Sequence, residues 1–297
     1  MRRGEREGLL HRVVRRTLRL VPPAPFRNLR TRLRARRGLE IGGPSALFER
    51  WNLWPVYPVV ASLDNYNLAA KTLWQDHSGT PGVFQYDRRR RRGREFVGDA
   101  ADMAHLSANG YEFILASHVV EHIANPLRAL SHWTRLVVEG GLLILVVPHR
   151  DGTFDHRREI TSLQHLFDDF ARNTPETDET HVDEVLRMHD LRRDPDLGGP
   201  DEFLRRVKAN ATLRSIHHHV FDTDLALRML LAAGLEIVYV DVQEPHHICL
   251  AGEVTARSKT AKNWAAAVAS LADSAWLRSE APWRRSSPFP TDTILKA

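Results

Sequence analysis

The stretch that decides the fold runs from Tyr111 to Pro148: YEFILASHVVEHI (111–123), a helical pattern, then VVEGGLLILVVP (137–148). The first apolar run stops abruptly at Ser117-His118. The second follows Gly140-Gly141 and is stopped by Pro148. Two short apolar runs flanking a helix-period segment read as a βαβ unit with buried parallel strands. Ligands of such sheets bind outside the carboxyl ends of the strands. Ser117, His118, Glu121 and His149 are therefore the first residues to consider for function.

Upstream, LEIGGPS (39–45) reads as a short strand followed by a bend. Gly42-Gly43 lets the backbone approach a ligand, and Pro44 suits a helix start. VVASLDN (59–65) reads as a strand ending in Asp64, whose carboxylate can accept hydrogen bonds from both hydroxyls of a ribose. REFVGDAADM (94–103) reads as a strand ending in Gly98-Asp99-Ala100, with Asp99 placed for an adenine edge.

In order, Glu40/Gly42, Asp64, Asp99, Ser117-His118-Val119-Val120-Glu121-His122 and Glu139-Gly140-Gly141 resemble the class I S-adenosylmethionine-dependent methyltransferases, over roughly residues 38–150. The SHVVEH run followed by EGG is similar to a common bacterial subgroup. The resemblance implies a Rossmann-like α/β fold with a mixed, mostly parallel sheet. It implies S-adenosylmethionine as methyl donor, held by Glu40, Gly42, Gly43, Asp64, Asp99, Ala100 and Ser117. The glycine loop departs from the family pattern, with two adjacent glycines and then proline. The rival within this fold, a nicotinamide dehydrogenase, needs a G-x-G-x-x-G turn and a helix N-terminus for pyrophosphate. That fingerprint is missing, and Pro44 removes a backbone donor.

A chain of 297 residues with 42% hydrophobic content holds one α/β domain plus additions. A single cysteine, Cys249, excludes a disulfide framework and reads as a small core residue. No apolar run approaches a membrane span and no signal core is present, so a cytoplasmic location is expected. The net charge of +5 is uneven. Residues 1–37 carry thirteen arginines and two glutamates, so the remainder of the chain is acidic. This basic arm contains a helical stripe at 8–21, read as a helix packed on the domain or as peripheral contact with an anionic membrane. It lacks the interleaved aromatics of a nucleic-acid binder.

The sequence predicts a core over 38–150, then an inserted helical cap over 151–220 after the fifth strand. Helical patterns lie near 161–172, 181–189 and 201–214. FDTDLALRMLLAAG (221–234) reads as the last core helix, capped by Asp222 or Thr223 and ended by Gly234. LEIVYVDV (235–242) and HHICLAGE (246–253) form a strand pair, and the tail from Val254 holds a helix near 261–277. Eight of the sixteen histidines fall between 149 and 219. An alcohol acceptor must lose a proton near the transition state, and histidine suits that task. His149 is the first candidate base, His118 the second and His218 the third. The polar cap points to O-methylation of a sugar or other hydroxylated small molecule or glycan precursor. The alternatives are a lipid, quinone or polyketide-type acceptor, or an inactive binding partner of the same fold. Asp151, Asp155 and His156 with one of His217–His219 offer a ligand set for magnesium. Their nitrogen content argues against magnesium, their spacing fits no standard zinc motif, and no metal ligands are assigned.

Overall fold

The structure, a computed structural model, describes residues 24–69 and 82–260. The helices expected over 8–21 and 261–277 lie outside the described residues. Helix α1 (Ala24–Leu33) leads into strand β1 (Arg37–Ile41). Then come β2 (Ser62–Asn67), β3 (Val83–Phe84), β4 (Gly93–Val97) and β5 (Tyr111–Ser117). Helix α2 (Pro126–Leu136) connects β5 to β6 (Val137–Pro148). The sheet order is β3-β4-β2-β1-β5-β6-β8-β7, where β7 is Glu236–Gln243 and β8 is His247–Glu253. The pairs β4·β2, β2·β1, β1·β5 and β5·β6 are parallel, whereas β6·β8, β8·β7 and β3·β4 are antiparallel. β6 is thus the fifth parallel strand, and a helical segment follows it, as the sequence predicts.

Alternation along the central strands builds a core on each face. Ile114, Ala116, Leu143 and Leu145 face α2 and the later helix α7 (Thr223–Ala232). Phe113, Leu115, Ile144 and Cys249 face the side covered by Phe26, Leu29 and Leu33 of α1. Asn125 caps α2 by accepting from Arg128 N at 3.1 Å, and Pro126 occupies its first turn. Leu127, Leu130 and Trp133 of α2 are fully buried, and each contributes roughly 1.5–3 kcal/mol by leaving water. Asp222 caps α7 through Leu225 N at 2.7 Å, and Gly234 follows it at φ +76°, as expected from sequence.

The segment after β6 contains α3 (Leu163–Arg172), α4 (Val182–Met188), α5 (Pro200–Lys208) and the short α6 (Asn210–Leu213). It has its own apolar cluster of Val185, Leu197, Phe203, Val207 and Ile216. A short helix α8 (Ala256–Thr260) follows β8.

One strand differs from its sequence reading. β2 continues three residues past Asp64 to Asn67, so Asp64 is not at the carboxyl end. Its carboxylate lies beside Tyr111, the first residue of β5, and therefore near the amino edge of the sheet. It accepts from Arg94 N and Nη2 at 2.9 Å each, from Arg37 Nη2 at 3.2 Å and from Tyr111 Oη at 3.0 Å. Burial acts to raise the Asp64 pKa, but the bonds from Arg94 and Arg37 outweigh it and hold the group below its ordinary value. Its stabilising contribution is present above the unfolded carboxylate range and is lost as pH falls through the folded pKa. We expect Asp64→Ala to lower stability by on the order of 2–3 kcal/mol at neutral pH. In urea melts, the gap from wild type should shrink in acid.

Candidate active site

A cavity of about 640 Å³ lies along the carboxyl edge of the parallel strands. One wall is formed where β1, β2, β4 and β5 end, at Gly42, Asn67, Asp99, Ala100 and Ser117. Gly42 has φ +72°, and a Cβ there would lie 2.7 Å from Val119 Cγ2. The turn is therefore built for glycine in both conformation and space. β2 clamps it: Gly43 N donates to Asn65 Oδ1 at 3.0 Å, and Gly43 O accepts from Asn65 Nδ2 at 3.0 Å and Asn67 Nδ2 at 3.2 Å.

Glu40 supports this turn from behind and is absent from the cavity wall. It is fully buried and accepts from Tyr57 Oη at 2.8 and 2.9 Å and from Ser45 N at 3.0 Å. Burial pushes its pKa up to about 8, against the downward pull of the Tyr57 and Ser45 bonds. At β5, Ser117 Oγ lies 3.1 Å from Ser45 Oγ. Beyond β4, Asp99 accepts from Ala101 N at 2.8 Å and from Arg214 Nη2 at 3.2 Å.

The opposite wall is rich in imidazole. His118, Glu121, His122, His217, His246 and His247 all line the cavity. His118 adopts φ +53°, and its N–H donates to Val146 O at 2.8 Å. Its Nε2 lies 2.9 Å from His247 Nδ1, and its Nδ1 lies 3.4 Å from Glu121 Oε1. Burial acts to raise the Glu121 pKa, but His118 and the neighbouring imidazoles outweigh it and hold the group low. His122 Nδ1 donates to Ile216 O at 2.9 Å, and burial pulls its pKa down to about 4, helped by His217. His217 Nδ1 lies 2.5 Å from Asp155 Oδ2. Burial opposes charge on His217, but Asp155 prevails and raises its pKa. Asp155 is in turn held at about 2, because His217 and Arg158 outweigh its burial. Phe154, Val185, Leu197, Phe203 and Val207 supply an apolar third wall.

The sequence matches the family described as "Methyltransferase domain" over residues 6–240. The chain belongs to that family. It is an S-adenosylmethionine-dependent methyltransferase. Solved structures with a similar fold include an S-adenosylmethionine-dependent methyltransferase from Mesorhizobium loti, at 12% identity over 77% of this chain and 95% of that one, TM-score 0.45. One from Methanosarcina mazei has 11% identity over 79% and 99%, TM-score 0.44. One from Aquifex aeolicus has 10% identity over 78% and 90%, TM-score 0.42. No curated protein matches the chain.

The methyltransferase brings Gly42, Asp99, Ala100, Ser117 and His118 together on the cavity wall, whereas Gly43 and Glu40 lie behind it and Asp64 sits near the opposite edge of the sheet. Two of the three candidate bases stand elsewhere. His149 is buried, and its Nδ1 accepts from Asp151 N at 3.2 Å, capping the tight turn Arg150–Gly152. The chain turns immediately after β6, so this ring faces the scaffold rather than the cavity. His218 is also buried, with Nε2 3.3 Å from Asn210 Nδ2. Burial and His181 depress its pKa to about 3. Within the 217–219 run it is His217 that reaches the cavity wall.

The four-residue ligand set does not converge as a whole either: Asp155 meets His217 at 2.5 Å, but Asp151 pairs with Arg150 at 2.9 Å and His156 with Asp190 at 3.0 Å. The sequence reading missed Asn67, His246 and His247, and it named His217 only as one of three alternatives for a metal ligand. Asn67 could have been found by extending β2 through its asparagines. His217 needed the orientation of the run, which chain position alone does not supply.

Glu40 generates a test of pH dependence. Its folded pKa of about 8 lies above the ordinary carboxylate value. The native state then binds a proton that the unfolded chain has released, so stability falls as pH rises between those two values. Glu40→Gln keeps a neutral polar group in place. Denaturant melts from pH about 5 to about 9 should show a smaller loss of stability in the variant than in wild type. Equal slopes would mean that Glu40 is ionised in the fold.

Proposed function

We propose that the chain methylates a hydroxyl oxygen of a sugar or another hydroxylated small molecule, with His118 as general base. The observation carrying this reading is the cavity itself, with strand-end donor groups on one wall and a Glu/His cluster on the other. The first wall fits the methyl donor. Gly42 has no side chain to obstruct the approach, Asn67 ends β2 where a ribose would lie, and Asp99-Ala100 follow β4 where an adenine would lie. Asn67 thus stands where Asp64 was expected, while Ser117 faces the same space.

S-adenosylmethionine, when bound, supplies an electrophilic methyl group on a sulfonium and leaves as a neutral thioether. The acceptor oxygen forms the new bond to carbon as the carbon–sulfur bond breaks, and the hydroxyl proton must go to the protein. His118 suits that role by position. With its Nε2–H donating to His247 Nδ1, its Nδ1 is the basic atom. Glu121, 3.4 Å away, then stabilises the imidazolium once the proton has arrived. Holding acceptor and donor in one enclosed cavity contributes further through orientation.

A second reading has its own support. Phe154, Val185, Leu197, Phe203 and Val207 give the cap side of the cavity an apolar surface. That surface favours a hydroxyl carried on an apolar body, such as a lipid, quinone or polyketide-type acceptor. A panel of sugar and aromatic hydroxyl acceptors, followed by thioether release, separates the two. Donor binding without thioether release on any acceptor would favour an inactive binding partner.

Two measurements test the residues. Calorimetry should show Asn67→Ala and Asp99→Ala weakening donor binding by about 1–3 kcal/mol, with Asp64→Ala close to wild type after correction for unfolding. Wild-type affinity in the first two would sink the donor assignment. His118→Gln should lower turnover at least about a hundredfold while donor affinity stays constant. Normal turnover in that variant would remove His118 as the base.

A further inference from the structure

Glu121, His122 and His217 form a constellation that proton transfer alone does not account for. Their potential ligand atoms, one per residue, all lie within 4.8 Å of one another, and all three residues line the cavity. Glu121 is fully buried; its Oε1 lies 3.4 Å from His118 Nδ1, whereas its Oε2 has no hydrogen-bond partner among the described residues. Such a carboxylate is costly to retain unless something of opposite charge meets it.

Both histidines are oriented as metal ligands usually are. His122 donates Nδ1–H to the Ile216 carbonyl at 2.9 Å, and His217 Nδ1 meets Asp155 at 2.5 Å. A carbonyl or carboxylate on the outer nitrogen fixes the tautomer and turns Nε2 inward. Asp155 is itself anchored by Arg158 at 3.0 Å. The supporting shell is thus built two residues deep.

We infer that Glu121, His122 and His217 bind a divalent first-row transition-metal ion, of the zinc or iron(II) type, at the acceptor end of the cavity. Two imidazoles and one carboxylate leave coordination positions open toward the cavity, as catalytic rather than structural sites do. The nitrogen content excludes magnesium as the preferred ion. An acceptor hydroxyl bound in an open position would be acidified and held in place. That role rests on the proposed methyl transfer, whereas ion binding rests on the three side chains alone.

The test uses the full chain stripped by chelator and titrated with cobalt(II), read by its visible absorption and by metal analysis after desalting. Wild type should bind cobalt tightly, with a d–d band of nitrogen/oxygen ligation. Glu121→Gln and His217→Gln should weaken that binding at least about a hundredfold, and Asp155→Asn about ten- to a hundredfold. Donor binding and circular dichroism identify any variant that has failed to fold, and Glu121→Gln is nearly isosteric. Among the described residues two other clusters could hold an ion, His165, His181 and His219 away from the cavity wall and His118, His246 and His247 on it, so His181→Ala and His246→Ala serve as comparisons. Loss of cobalt in His181→Ala or His246→Ala with retention in Glu121→Gln and His217→Gln would overturn the assignment, as would a wild type that binds none. Cobalt bound at the predicted residues, with turnover unchanged by its removal, would leave the metal site standing and remove the ion's role toward the acceptor hydroxyl instead.

Discussion

The arrangement of the site depends on one buried guanidinium. Arg158 is 2% exposed, and it donates to Asp155 Oδ1 at 3.0 Å, His217 O at 2.9 Å and Glu184 Oε2 at 3.0 Å. Those partners come from the start of the segment after β6, from its end and from α4. A buried cation is tolerated only where acceptors meet it, so the three chain segments must converge on this point. The convergence fixes Asp155, Asp155 fixes the His217 ring, and the 217–219 backbone is tied to the turn after β5. There, His218 N donates to Glu121 O at 2.8 Å. The imidazole wall is therefore set by a structural ion pair rather than by the sheet alone.

How much was legible follows from the kind of signal each element carried. β5, α2 and β6 were readable because long apolar runs and a helix period admit few alternatives. α7 was readable from its cap and its terminal glycine. β2 was read as a strand, but its end was placed too early, at Asp64, because the asparagines beyond it are residues that usually close a strand. Its asparagines instead direct their amides to the Gly43 carbonyl and to Glu95, and so remain buried in a strand. Such long-range satisfaction of polar groups leaves no local trace. Two of the three base candidates, His149 and His218, lie off the cavity wall for a related reason. Chain position placed His149 at the correct strand end, but a single turn directs its ring inward to cap the next N–H. Likewise, choosing among His217, His218 and His219 requires knowing which way the run faces the pocket.

Two fully buried glutamates show how environment divides the labour. Glu40 is met by a phenol and a backbone N–H, and burial prevails over both and raises its pKa. It acts as a neutral strut under the glycine turn. Glu121 is ringed by His118, His122 and His217, so the surrounding imidazoles prevail and lower its pKa. Negative charge within the fold is thus directed to the acceptor wall.

The sheet topology explains why these two walls meet where they do. From β1 the chain builds outward through β2 and β4, then returns to place β5 on the other side of β1. The strand order reverses between β1 and β5, and a crevice opens there at the carboxyl edge. Gly42 follows β1 and Ser117 ends β5, so both stand at that switch point. The residues that come next, His118 and Glu121, carry the chain directly from the donor wall into the imidazole cluster. A single short turn after β5 therefore couples donor position to acceptor chemistry. The left-handed conformation at His118 is the local bend that makes this coupling sterically available.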